Sequence, residues 1–99
     1  MNIQAMIKQA QSMQKDMMKA QEEINSRSYT GENGLVKVTM KGNKKIEKVE
    51  ISKDDDFNAE DLEMLEDMIM VAVNEAIAKI DQATEQKIGK YTNAIPGLF

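Results

Sequence analysis

Cysteine and histidine are both absent from this 99-residue chain. Without cysteine there is no disulfide, no thiolate metal site and no sulfur nucleophile. Without histidine the usual general base near neutral pH and the commonest zinc ligand are missing. Tryptophan is absent as well, and aromatic residues make up only 4% of the chain. The four aromatics, Tyr29, Phe57, Tyr91 and Phe99, do not interleave with basic residues, so no ladder for stacking single-stranded bases is present. No apolar run approaches the roughly 20 residues that span a bilayer, and the start lacks a basic-then-apolar signal pattern. The expected location is cytoplasmic, with no membrane partner.

The motifs of common enzyme classes are missing too. Ser12, Ser26, Ser28 and Ser52 stand in no nucleophile elbow. Neither a phosphate-binding GxxxxGK[ST] loop nor a dinucleotide-binding GxGxxG is found. The stretch DDDFNAEDLEML from Asp54 has the outline of a calcium loop. Ala59 stands where such a loop needs glycine, however, and Leu65 where it needs a bidentate glutamate. Acidic pairs such as Asp61 and Glu66 read as solvated helix charges. The inventory implies no catalytic residues, no metal, no cofactor and no small-molecule substrate; the protein is not expected to be an enzyme.

What is present suits one domain over residues 1–99, with 41% hydrophobic and 30% charged residues. The net charge of −4 conceals a division. Met1 to Lys53 holds ten Lys/Arg against six Asp/Glu, net +4, whereas Asp54 to Phe99 holds three against eleven, net −8. Such asymmetry can separate a surface that attracts a polyanion from one that repels it, and a solvated acidic helix face explains it as well.

Residues 2 to about 26 have no Pro or Gly and are rich in good helix formers. Ile3, Met6, Ala10, Met13, Met17, Ala20 and Ile24 follow spacings of three and four, a heptad seam narrower than an ordinary core stripe. Strands are expected between about 27 and 52: a short one over Arg27–Thr30, then Leu35–Lys41 and Lys45–Ser52. Gly31-Glu32-Asn33-Gly34 should punctuate the first two and Gly42-Asn43 should turn the hairpin. Alternation assigns Val36, Val38, Met40, Val49 and Ile51 to a buried face, and Ile46 breaks it in a way that suggests a bulge. A second helix is expected over about 58–91 with Asn58 as its cap and Glu60, Asp61 and Glu63 in its first turn. Its stripe runs from Leu62 and Leu65 to Ile80 and Ala83, with Met64, Met68 and Val71 as a second stripe. A short tail containing Pro96 and Leu98-Phe99 follows.

The fold class is therefore α+β: an α-β-β-β-α unit with a small antiparallel sheet and two long helices. At 1.5 Å per residue the helices are about 37 and 48 Å long, while three strands are about 14 Å wide. A sheet this small leaves apolar helix surface open, and a second copy is the simplest cover. A homodimer is expected, with Met6, Met13, Met17, Leu65, Ile69, Ala72 and Ala76 at its interface. The nine methionines allow a different use of the same surface, a dimeric adaptor that binds another protein.

Six lysines crowd between Lys37 and Lys53, and Lys8, Lys15 and Lys19 lie off the seam of the first helix. Lysine is a point charge suited to phosphate and lacks the planar fork that reads guanine. Edge-strand protection explains lysines on a hairpin equally well. The candidate polyanion-binding set is Lys8, Lys15, Lys19, Arg27, Lys37, Lys41, Lys44, Lys45 and Lys48.

Four segments in order, MIKQAQSMQKDMMKAQEEI, GLVKVTMKGNKKIEKVEIS, EDLEMLEDMIMVAVNEAI and PGLF, resemble the YbaB/EbfC family of bacterial nucleoid-associated proteins. The resemblance covers nearly the whole chain. It implies an intertwined, tweezer-like homodimer that binds double-stranded DNA with little sequence preference and acts in nucleoid organisation and gene expression, without catalysis or cofactor. Two departures stand out: Glu32 and Asn33 interrupt a run that is often glycine-rich in the family, and Asn58-Ala59 replaces a frequent Asp-Pro. The family offers no contact motif to carry over, so the candidate DNA residues rest on charge.

Overall fold

The long helices start and stop where local hydrogen bonding allows. In a computed structural model that describes residues 2–94, with side chains through Tyr91, helix α1 spans Ile3–Ser26. The Asn2 side chain caps it by accepting from the Ala5 N–H at 3.3 Å. At the far end Arg27 turns extended, and its N–H returns to the Ile24 carbonyl at 3.2 Å. Three antiparallel strands follow in the order β1 (Ser28–Asn33), β2 (Val36–Lys41) and β3 (Ile46–Ile51). A single 3₁₀ turn, Ala59–Asp61, leads into helix α2, Leu62–Ala94. Asn58 caps this turn as expected, in a reciprocal box with Asp61. The expected α+β unit is present with helix bounds close to those read from the sequence; the tail from Ile95 on lies outside the described residues.

The strands differ from expectation in two places. β1 runs through Gly31-Glu32-Asn33 to pair Asn33 with Val36, so the turn is only Gly34-Leu35, with Gly34 at positive φ. Gly31 is needed mid-strand because α2 crosses directly above it. A Cβ there would meet the Ala72 carbonyl oxygen, and would lie 2.8 Å from the Ala76 nitrogen. The second hairpin has a three-residue loop, Gly42 to Lys44, closed by Lys41 N–H to the Lys45 carbonyl at 2.9 Å. Its positive φ falls on Lys44, not on Gly42 or Asn43, as in a type I turn completed by one left-handed residue. Gly42 serves packing instead: a Cβ would strike the Ile24 carbonyl at the end of α1. The expected bulge is present. Thr39 pairs with Lys48 but Met40 with Ile46, which leaves Glu47 as the extra residue.

The core lies between the sheet and α2. Val36, Val38 and Met40 on β2 are buried against Ala72, Ala76 and Ile80, and Ile24 of α1 closes the cluster with Ile88. Val49 and Ile51 face the same side as their partners Val38 and Val36, yet they are 46% and 51% exposed. This corrects their assignment to the core. One helix about 10 Å across covers about two strands at 4.8 Å spacing. α2 covers β1 and β2, and β3 lies beyond its reach.

The molecule measures 71 × 21 × 14 Å. α2 accounts for about 50 Å of that length. The remainder is the first half of α1, whose last third packs antiparallel on the end of α2 through Met17, Ala20 and Ile24. Residues 2–12 form an arm exposed on every side.

Candidate nucleic-acid interface

The nine cations chosen on charge separate into two groups. On the outer face of the sheet, register sets each lysine beside a carboxylate. Lys37 pairs with Glu32 at 3.9 Å, Lys41 with Glu47 at 3.7 Å and Lys48 with Glu50 at 2.9 Å. The bulge is what turns Glu47 toward Lys41, and Ser28 Oγ donates to the same carboxylate at 2.7 Å. Lys48 holds the Glu50 carboxyl below its ordinary value, first by hydrogen bond and then by charge. Three lysines and three glutamates therefore cancel on this face. The Lys41 ammonium also donates to the Ser26 carbonyl at 3.1 Å, where the α1 dipole favours a cation. Lys44 reaches across to α2 and pairs with Asp81 at 3.0 Å. Lys45 closes no ion pair among the described residues.

On α1 the arrangement differs. Lys8, Lys15 and Lys19 are exposed, and none closes an ion pair among the described residues. At 100° per residue they fall within about 40° of one another, on the side of the helix opposite the Ile3–Ile24 seam. They span about 16 Å along the axis. Arg27 is exposed at the joint between α1 and β1. Behind the stripe, Lys87 of α2 bonds Glu23 at 3.1 Å. That hydrogen bond, then the lysine charge, holds the Glu23 carboxyl below its ordinary value. Lys87 thus engages Glu23. Glu22, three residues after Lys19 on the stripe side of α1, is exposed and closes no ion pair among the described residues. The stripe's net charge is therefore three lysines against Asp16 and Glu22. The net-negative segment Asp54 to Asp67, which leads into α2, lies at the opposite end of the long axis from the arm.

The sequence model of the YbaB/EbfC DNA-binding family matches residues 1–95. The chain belongs to that family. Among relatives of this YbaB/EbfC protein, a nucleoid-associated protein of Enterococcus faecalis is 45% identical over 99 residues, covering 98% of this chain and 94% of the relative. One from Lactococcus lactis is 43% identical over 98 residues, covering 97% and 98%. The crystal structure of an uncharacterised Helicobacter pylori protein shares the fold, with a TM-score of 0.72 at 19% identity, over 87% of this chain and 91% of that one.

The residues expected to pair copies of this family member are placed unevenly. Ala72 and Ala76 are fully buried under the protomer's own sheet, so they offer nothing to a second copy. Their small size answers to Gly31, letting α2 approach β1. Leu65 and Ile69 are half-buried against Val36 and Val38, and Met17 is half-buried against the α1–α2 core. Met13 is half-buried, and Met6 stays 53% exposed. The open apolar surface lies elsewhere: Ile46, Val49 and Ile51 on β3, Met64 and Val71 on one flank of α2, and Ile3 and Ile7 on the arm. Only the strand-edge position of β3 in the sheet order distinguishes its residues from those of β2, and strand order is not written in hydrophobic alternation.

Proposed function

We propose that this protein binds double-stranded DNA through its phosphates, with little sequence preference, as a nucleoid-associated homodimer that affects nucleoid organisation and gene expression. The observation that carries the contact surface is the stripe of Lys8, Lys15 and Lys19, unpaired on the free side of α1. The charge-balanced sheet takes a minor part. Lysines without a guanidinium fork favour backbone contact, and preference then follows DNA shape. The names of the relatives support the nucleoid as the setting, and they describe an association with no reaction attached.

A dimer presenting two stripes neutralises about six phosphates, so log K against log salt should fall with a slope of about −5. Mobility-shift titrations on unrelated duplexes between 50 and 200 mM salt check this. An affinity insensitive to salt over that range overturns the phosphate mechanism.

The dimer reading rests on apolar surface that one chain leaves open, above all the half-exposed residues of β3. Sedimentation at micromolar concentration is expected to give twice the chain mass, and a folded monomer removes the proposal. The same surface favours the adaptor reading, in which the partner is a different protein. A dimer that shows no mobility shift and buries its Met-rich helical surface against a different protein would establish that reading instead.

A further inference from the structure

Ser12 sits in the middle of the lysine stripe. On α1 it lies one turn after Lys8 and just under one turn before Lys15, with Lys19 two turns on, and all four side chains fall within about 60° of the helix circumference. It is exposed. The other helical hydroxyls near carbonyls are engaged: Ser26 Oγ donates to the Glu23 carbonyl at 3.1 Å and Thr84 Oγ1 to the Ile80 carbonyl at 2.8 Å. The Ser12 hydroxyl makes no hydrogen bond among the described residues. Within the stripe it is the single group that can accept a covalent change of charge sign.

We propose that Ser12 is a phosphorylation site that switches the arm off DNA. The inference rests on the DNA-binding reading above and adds its regulation. The donor is a nucleoside triphosphate acting through a protein serine kinase. The Ser12 oxygen attacks the γ-phosphorus and forms the ester bond, the bond from that phosphorus to the diphosphate oxygen breaks, and the hydroxyl proton leaves to the kinase base.

The charge arithmetic decides the outcome. A phosphoserine carries about −1.5 to −2 at pH 7. Its neighbours are Lys8 at i−4, Lys15 at i+3 and Lys19 at i+7, with Asp16 at i+4 on the flank. The stripe with Asp16 and Glu22 stands at +1, so a single phosphoryl group turns it to about −0.5 to −1. The phosphoryl oxygens also accept charge-assisted hydrogen bonds from lysines at i−4 and i+3, which takes those ammonium groups away from DNA phosphates. Access to a kinase follows from the fold. Ser12 is exposed and lies about 130° around α1 from the Ile3–Ile24 seam, so a second copy that covers the seam leaves the hydroxyl open.

The test uses the full chain carrying phosphoserine at position 12, compared with the unmodified chain on one 30-base-pair duplex in 0.1 M salt. The expected result is at least about tenfold weaker binding, with the salt slope of the dimer smaller by about 3.6 (two lysines in each stripe) and both restored by phosphatase treatment. Restoration separates charge from misfolding. Equal affinity of the two chains, with the unmodified chain bound, overturns the switch alone. No binding by the unmodified chain overturns the DNA reading and the switch with it.

Discussion

Replacing Gly31 with alanine is expected to destabilise the protein by about 3 kcal/mol, a large share of the roughly 5–15 kcal/mol that holds a domain together. The added methyl group has no free space. It meets the carbonyl oxygen of Ala72 and the nitrogen of Ala76, which are backbone atoms of a helix with thirty-three residues. Backbone in a helix does not rotate aside as a side chain does. α2 must lift from β1, and the packing of Val38 on Ala72 and of Met40 on Ala76 loosens together. For a chain of this size the melting temperature should fall by about 12–20 °C. Gly89→Ala supplies the contrast: among the described residues its Cβ would meet Glu85 Cγ at 3.6 Å, an ordinary contact, and alanine suits a helix interior better by about 0.5–1 kcal/mol. Thermal melts of the two variants should move in opposite directions. A Gly31→Ala chain that melts with the parent would show that α2 does not sit down on β1 as described.

Reversing Lys8, Lys15 and Lys19 to glutamate is expected to weaken DNA binding by at least about a hundredfold at 0.1 M salt and to reduce the salt slope by about 0.9 for each phosphate no longer neutralised. All three are exposed and closed in no ion pair among the described residues, so the fold should be indifferent and the melting temperature should stay within a few degrees. The comparison is Lys37→Gln with Lys48→Gln on the sheet. Their carboxylate partners already cancel them, and binding should change by no more than about threefold. Hairpin charge reversal at Lys41 or Lys44 is a poorer probe. It sets carboxylates beside Glu47 and Asp81, and at Lys41 also beside the Ser26 carbonyl at the end of α1, so the structure is disturbed along with the charge. If the arm variant binds as the parent does while the sheet variant fails, the contact surface belongs on the hairpin.

Periodicity made the helices, the bulge near Ile46 and the cap at Asn58 legible, because each depends on residues close in sequence. Two things depended on distant partners and were not legible. Gly31 reads as a turn residue until α2 is placed over β1, since only the Ala72 carbonyl above it explains a glycine in mid-strand. Val49 and Val38 follow the same alternation, yet one is half open and the other fully buried, because the width of a helix decides which strands it covers. The candidate site shows the same limit. Lysines on the hairpin and on α1 look alike in sequence; the register that pairs Lys37 with Glu32 and the bulge that presents Glu47 to Lys41 distinguish them. The opposition of stripe and seam on α1, by contrast, follows from spacing alone.

The arm's attachment has a mechanical consequence. α1 is fastened only over its second half, by Met17, Ala20 and Ile24 against the core with Ile80 and Ile88. Lys8 stands nine residues, about 14 Å, beyond Met17. A bend of about 15° at Met17 carries Lys8 through about 3.5 Å, close to the 3.4 Å axial rise per phosphate of one DNA strand. On the proposed DNA reading, the core residues at the base of this lever set which phosphates the distant lysines reach.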